Sequence, residues 1–396
     1  MSDYYQILIK SSKINQMLQF SSAEDLRTKL TLATIASKHI TIETPGSRLE
    51  EHEVAFAKLI CGISDGTSLT VSPTGTKMVF KPGMLRGGDV TFSCPLERGV
   101  GYYLEYFVLI AMFCKFQLRL TLTGVTNDNY TLSVDTIRDV TIPQIAFFCA
   151  DKDDIYLDVK SRGFMPGGGG EVTLVARPQD KLKSVDYSKL SIFEEVRGCC
   201  VSANLPTALP NRAITAAKGE ILKVLANVHV AADYCQKRRS GNSRGFGLSL
   251  WAKTYSGALV SADLFTDTVT EDLADPEAMG LFVARVLLRE IQYMGAPDLR
   301  HQPVILLFMA CTIEDVSKCR LGPLTERSVR TLRLIYEILG VRFSLEPVTI
   351  AFEEDYVSEK EWRSDNARDI MKTKTLDFVI AMCRGAGIRN INKMGF

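Results

Sequence analysis

Four histidines set the limit on much of the chemistry this chain can do: His39, His52, His229 and His301. None lies in an H-E-x-x-H pattern or another metal-ligand spacing, so no metal site is expected. His39 and His229 fall at or within apparent strands and read as satisfied structural histidines. His52 in "EEHE" reads as solvated, and His301 as a loop residue. Two other stretches could do chemistry. The run "SRGFMPGGGGEV", Ser161 to Val172, has four consecutive glycines, which let backbone N–H groups approach a ligand. The run "QKRRSGNSRGFG" gathers Lys237, Arg238, Arg239 and Arg244 around Gly241 and Gly245. Arginine forks suit phosphate oxygens, so this turn is a candidate contact for RNA or a partner protein.

Other phosphate motifs fail. Gly75-Thr-Lys77 lacks both the leading glycine and the following Ser or Thr of a P-loop. Gly99-Val-Gly101 carries the first two glycines of a dinucleotide fingerprint, but Leu104 stands at the third.

These residues must be held by a mixed α/β fold. With 396 residues, more than one core is expected. The net charge of +1 excludes a polycation, so any nucleic-acid contact must be local. The ten cysteines lack C-x-x-C spacing, and "MSDYYQILIKSSK" lacks the basic-then-apolar pattern of a secretory signal. Buried free thiols in a reducing compartment are therefore expected, with the sequon at Asn129 idle. The 16-residue run "GVGYYLEYFVLIAMFC" is short for a membrane span and contains Glu105; it reads as a buried helix.

Elements recur as βαβαββ units. The first spans about 16–82: strand, helix with Ser22 and Asp25 in capping-box spacing, strand, helix, and two strands around Pro73-Thr-Gly75. The second ends in strands "IYLDVKSRG" and "GEVTLVARP" with the glycine run between them. A phosphate cradle joins a strand to a helix N-terminus. Strands on both sides make the glycine run a hairpin turn. A module of different texture then interrupts the third unit. The domains expected are 1–185 (first two units), 186–282 (a small inserted α/β domain) and 283–396 (the third unit). In the third unit "PEAMGLFVARVLLREIQYMG" reads as a helix and "PVILLFMACT" as a strand. A polar insertion, 353–374, mixes Glu353 and Asp355 with Arg363, Arg368, Lys372 and Lys374, which suits a protein partner or a solvated loop.

"SRGFMPGGGGEV" resembles the R-G-x-x-P-x-G-G-G-E-V signature of the RNA 3′-terminal phosphate cyclase family. Its matching residues are Arg162, Gly163, Pro166, Gly168, Gly169, Gly170 and Glu171. "GVGYYLEYFVLIA", "LGVRFSLEP" and the interrupted third unit fit the same family. The resemblance implies three βαβαββ repeats, as in enolpyruvyl transferases, with a small inserted domain. Cyclases work through an adenylyl-histidine on the late helix of the third repeat. Counting back from "VRFSL", that position falls near Arg327, which cannot serve as nucleophile. The early G-E-G-G-G-Q-type stretch is replaced by "FSSAEDLRTKL". "RRSGNSRGFGLSLWA" and "CRGAGIRNINK" resemble the eukaryotic non-cyclase branch. Membership there implies a nucleolar protein without catalytic residues or cofactor, acting in early processing of small-subunit pre-rRNA. Its implied partners are a large nucleolar GTPase, pre-rRNA and other processome proteins. An Arg-Asp-x-Lys run suggested to cut pre-rRNA in some members aligns with Arg333-Leu334-Ile335-Tyr336, where the acid and the lysine are missing. Pre-rRNA cleavage, or cyclase chemistry with another nucleophile, is the alternative.

Overall fold

Alternating apolar residues set the strands of the first unit, and its helices bury one face against them. A computed structural model describes residues 17–236, 239–266, 275–352 and 374–393. The first unit runs β1 (Leu18–Phe20), α1 (Leu26–Ile35), β2 (Ile40–Glu43), α2 (Glu51–Gly62), β3 (Ser68–Val71) and β4 (Lys77–Lys81). β1 pairs parallel with β2, β2 antiparallel with β4, and β4 antiparallel with β3. Ile40, Ile42, Met78 and Phe80 turn to the core. The capping box expected at Ser22 and Asp25 does not form. Asp25 stands at the N-cap of α1 with φ 53° and makes no cap bond. Its carboxylate instead accepts from Arg330 Nε at 2.6 Å.

The second unit repeats the order: β5 (Gly88–Ser93), α3 (Gly101–Ile110), β6 (Leu118–Gly124), helical turns α4, β7 (Ile155–Ser161) and β8 (Gly170–Ala176). α4 runs from Val134–Thr136 through a π turn at Ile137–Thr141 to Ile142–Ile145. β5 is parallel to β6, and β8 is antiparallel to both β6 and β7.

The third unit opens with β9 (Asp186–Tyr187) and is then interrupted. The interruption supplies β10 (Phe193–Ala203), α5 (Ala208–Ile221), β11 (Val228–Cys235), β12 (Gly245–Thr254), β13 (Leu259–Phe265) and α6 (Pro276–Gln292). Its sheet has the order β11-β10-β12-β13, with β10 and β11 parallel. It closes a core of its own, in which Met279, Val283, Ala284 and Leu287 of α6 meet Ala213 and Ala217 of α5. α6 therefore packs on the inserted sheet instead of opening the resumed unit. The expected boundary at 282 falls inside this helix.

The helix of the resumed unit is α7 (Gln302–Ala310), followed by β14 (Val316–Leu321), α8 (Glu326–Leu339), β15 (Phe343–Phe352) and β16 (Lys374–Arg384). The sheet order β9-β14-β16-β15 repeats that of the first two units. "PVILLFMACT" is thus a helix and not the strand its composition suggests. All nine residues of α7 are buried, as are all ten of α3. A short run that is apolar on every side has no period to read. β14 escaped sequence reading because a serine, Ser317, stands on its core face and the apolar Val316 on the opposite one, which also carries Arg320. That side chain is buried and donates to the carbonyls of Met294 and Lys189. Among the described residues, no helix is long and apolar enough to cross a membrane. The ten cysteines are free and none is exposed.

The Gly99-Val-Gly101 pair serves packing. A Cβ on Gly101 would lie 1.8 Å from the carbonyl oxygen of Leu132. Gly101→Ala is expected to destabilise the protein by about 2 kcal/mol through overpacking. Gly219→Ala, at a helical site with nothing within 4 Å, should stabilise it by about 0.5–1 kcal/mol. Urea unfolding of the two variants checks both signs.

Candidate functional site

A cavity of about 550 Å³ opens between the start of α1, the start of α2 and the N-terminal half of α3. Arg27, Arg48, Arg98, His52, Tyr102 and Tyr106 lie on its wall. The turn of α1 that follows Asp25 carries Arg27 onto α3. There its guanidinium stacks 4.1 Å from the Tyr102 ring centroid and donates to Glu105 at 2.8 Å. Glu105, in the middle of the apolar helix, is 1% exposed. It also accepts from Arg327 Nη2 at 2.8 Å, and Arg327 reaches the Tyr106 hydroxyl at 3.0 Å. Burial alone would raise the Glu105 pKa, but Arg327 and Arg27 outweigh it and hold the carboxyl below its ordinary value. Burial would likewise favour neutral Arg327, but Glu105 overrides it and keeps the guanidinium charged.

His52 is buried rather than solvated. The start of α2 turns it inward, edge-on to Tyr102 at 4.8 Å. Its Nδ1 lies 3.1 Å from a Glu97 oxygen and its Nε2 3.3 Å from a Glu50 oxygen. Both ring nitrogens are occupied by carboxylates. Their ligand atoms lie within 4.8 Å of one another, but two of the three side chains are more than half exposed. Arg48 is exposed, and Arg98 lies over the Tyr130 ring at 4.7 Å. Arg48 and Arg98 thus offer cations to an anion entering the cavity. His301 is fully buried at the N-cap of α7, with Nδ1 2.8 Å from Asp298 and Nε2 2.8 Å from Thr141 Oγ1. His39 and His229, read as satisfied, are exposed.

The glycine run is a hairpin connection between antiparallel β7 and β8, and it is clasped by the inserted domain. Arg162 N–H donates to the Arg239 carbonyl at 2.9 Å, and Gly241 N–H donates to the Arg162 carbonyl at 2.7 Å. Gly167 N–H donates to Ser243 Oγ at 2.8 Å. Gly169, at φ 82°, has no room for a side chain: a Cβ there would lie 3.0 Å from Gly241 Cα. Gly163, Gly168 and Gly170 complete the bend; Pro166 is exposed, and half-buried Glu171 pairs with Lys160 at 2.6 Å. The Arg162 guanidinium is buried and grips Asp135 through two 2.7 Å bonds, with Asp233 of β11 at 3.4 Å. Nearby, Asn129 exchanges two hydrogen bonds with the Phe265 backbone, and Asp263 takes bonds from Thr136 and Arg300.

The fold therefore brings the signature loop and Arg239 together, although they lie far apart in sequence. Arg239 is already paired with Asp233 at 3.0 Å, while Arg244 is exposed. Lys237, Arg238 and insertion residues 353–373 lie outside the described residues. Arg327 meets the cavity wall through Glu105 and Tyr106. Arg333, Leu334 and Tyr336 lie further along α8, with Leu334 in the core and Arg333 and Tyr336 exposed. The Arg27–Glu105 pair was not predicted; its one signal was a carboxylate inside an apolar run.

The profile of the family described as RNA 3′-terminal phosphate cyclase matches residues 18–345. The RNA 3′-terminal phosphate cyclase-like protein of Homo sapiens is 32% identical over 384 residues, covering 95% of this chain and 97% of that protein. The probable cyclase-like protein of Arabidopsis thaliana is 34% identical over 350 residues, covering 84% and 93%. A Schizosaccharomyces pombe protein named rRNA processing protein rcl1 is 31% identical over 317 residues, covering 78% and 86%.

Replacing Glu105 by Gln removes the anion between two guanidiniums and is expected to cost about 3 kcal/mol. The sign with pH follows from the depressed pKa. The ion-pair contribution is complete above 4.5, the ordinary carboxyl value, and is lost as pH falls through the lower folded value. The stability gap between wild type and Glu105→Gln, measured by urea unfolding, should therefore shrink in acid below 4.5.

Proposed function

Because the chain belongs to the RNA 3′-terminal phosphate cyclase family, we propose that it serves rRNA processing as a binding factor and not as a cyclase. The observation that carries this reading is the state of Arg327. The resemblance puts the cyclase nucleophile near this residue, and here the side chain is a charged guanidinium held by Glu105. It has no free lone pair with which to attack a phosphorus atom. His52, the histidine on the cavity wall, does not replace it, since both its ring nitrogens face carboxylate oxygens. A nuclease reading is disfavoured because the aligned run offers Leu334, a core residue, where the acid would be needed, and Tyr336 where the lysine would.

Arg48 and Arg98 fit a retained contact with RNA phosphate, and Arg239 and Arg244 a second one on the inserted domain. We assign the protein to the nucleolus, in early processing of small-subunit pre-rRNA within the processome. Its protein partner there is a large GTPase. The name of the fission-yeast relative supports the processing role. The domain plan, with a small α/β domain inserted in the third of three repeats, gives such a factor two faces, one for RNA and one for protein.

Depletion of the protein should lower mature small-subunit rRNA relative to large-subunit rRNA, read by the ratio of the two after metabolic labelling. An unchanged ratio contradicts the proposal.

A further inference from the structure

α8 buries one face in the core, and a second stripe beside it is only partly covered: Leu332, with Phe343 of β15, packs at the core's margin, while Tyr336 stays half exposed. Thr331, Leu334, Ile335 and Ile338 point inward and are buried. A second stripe, Val329, Leu332, Arg333 and Tyr336, follows helical spacing on the outer side. Across from it lie Phe343 and Leu345, on the same face of β15 by strand alternation. Together they form a groove of about 430 Å³. Tyr336 is 50% exposed and Leu345 39%. Among the described residues β15 is also the outer strand of its sheet, so the groove lies at the edge of that sheet.

The charge at the rim selects the occupant. Arg333 and Arg342 flank the apolar floor, and among the described residues neither has a carboxylate partner. By contrast Arg330, one turn back, is bound to Glu24, Asp25 and Glu326. Arg342 stands 5.1 Å over the Tyr336 ring and donates to its hydroxyl at 3.0 Å. Arginine and tyrosine around an apolar groove are the residue types enriched in protein-binding hot spots. RNA fits this groove poorly. Leu332, Phe343 and Leu345 offer no partner to base edges, and Arg342 is already engaged with the Tyr336 hydroxyl.

We propose that the groove between α8 and β15 docks an amphipathic peptide segment of a partner protein, with apolar anchors on one side and carboxylates flanking them. The anchors fill the space beside Tyr336 and Leu345, and the carboxylates pair with Arg333 and Arg342. This inference stands independently of any role in rRNA processing.

The test uses the full chain and two fluorescent helical peptides. Both carry Leu and Phe at i, i+3, i+4 and i+7. One bears Glu at the flanking positions, the other Lys. The Glu peptide should bind by fluorescence anisotropy and slow amide exchange over residues 329–345. The double variant Arg333→Glu/Arg342→Glu should weaken it by about tenfold or more and should now bind the Lys peptide. Leu345→Asp should abolish both. Equal binding of the two peptides by wild type, or no exchange protection there, overturns the proposal. So does protection of residues 329–345 by a uridine oligomer in place of the peptide, or self-association of the chain that Leu345→Asp removes. The exchange measurement on wild type decides the matter even where a variant fails to fold.

Discussion

One buried carboxylate joins the three units of this fold. Glu105 belongs to the central helix of the second unit, Arg27 to the first helix of the first, and Arg327 to the late helix of the third. An ion taken from water into an apolar helix cluster is expensive unless it is paired and fully hydrogen-bonded. Here two guanidiniums donate to its oxygens, and the Tyr106 hydroxyl accepts a further bond from Arg327. Three sheets of the same strand order can be arranged around buried helices in several ways. The demand of Glu105 for both arginines at once favours one of them. It also fixes Arg327 as a charged guanidinium bound to Glu105 and the Tyr106 hydroxyl.

A second buried ion pair does the same for the inserted domain. Arg162 grips Asp135 in the body and leans toward Asp233 in the inserted sheet. Burial and the two acids oppose one another for its charge, and the acids prevail. The backbone of the glycine run threads between Arg239 and Gly241. The glycines are there so that two domains can approach closely. A loop that suggests a phosphate cradle by composition is a clasp by geometry.

The sheets were legible because their alternation is regular: "HITIE", "FQLRLTLTG" and "GEVTLVARP" are β2, β6 and β8. The hairpin nature of the glycine run followed from the strands on both sides. What failed was the centre and the surroundings of buried charge. α7 read as a strand because every side is buried, leaving no polar face to mark a helical period. β14 was missed because Ser317 is buried and Val316 exposed, the reverse of what polarity suggests, and because Arg320 is buried against backbone carbonyls supplied from remote segments. His52 read as solvated because its neighbours in sequence are acidic. One of those acids, Glu50, does hold it, and the second, Glu97, arrives from a remote loop. Pairings across units are fixed by tertiary structure, and no local window contains them.

We propose that the charge lock at Glu105 stands where a cyclase would carry its nucleophile, so that the chain forms no adenylyl intermediate. Intact-mass spectrometry of the purified full chain after incubation with ATP and magnesium or manganese tests it most directly. The account predicts an unmodified mass, with wild type and Arg327→Ala indistinguishable. A wild-type chain carrying one covalent AMP, lost on substitution of a single side chain, would contradict it.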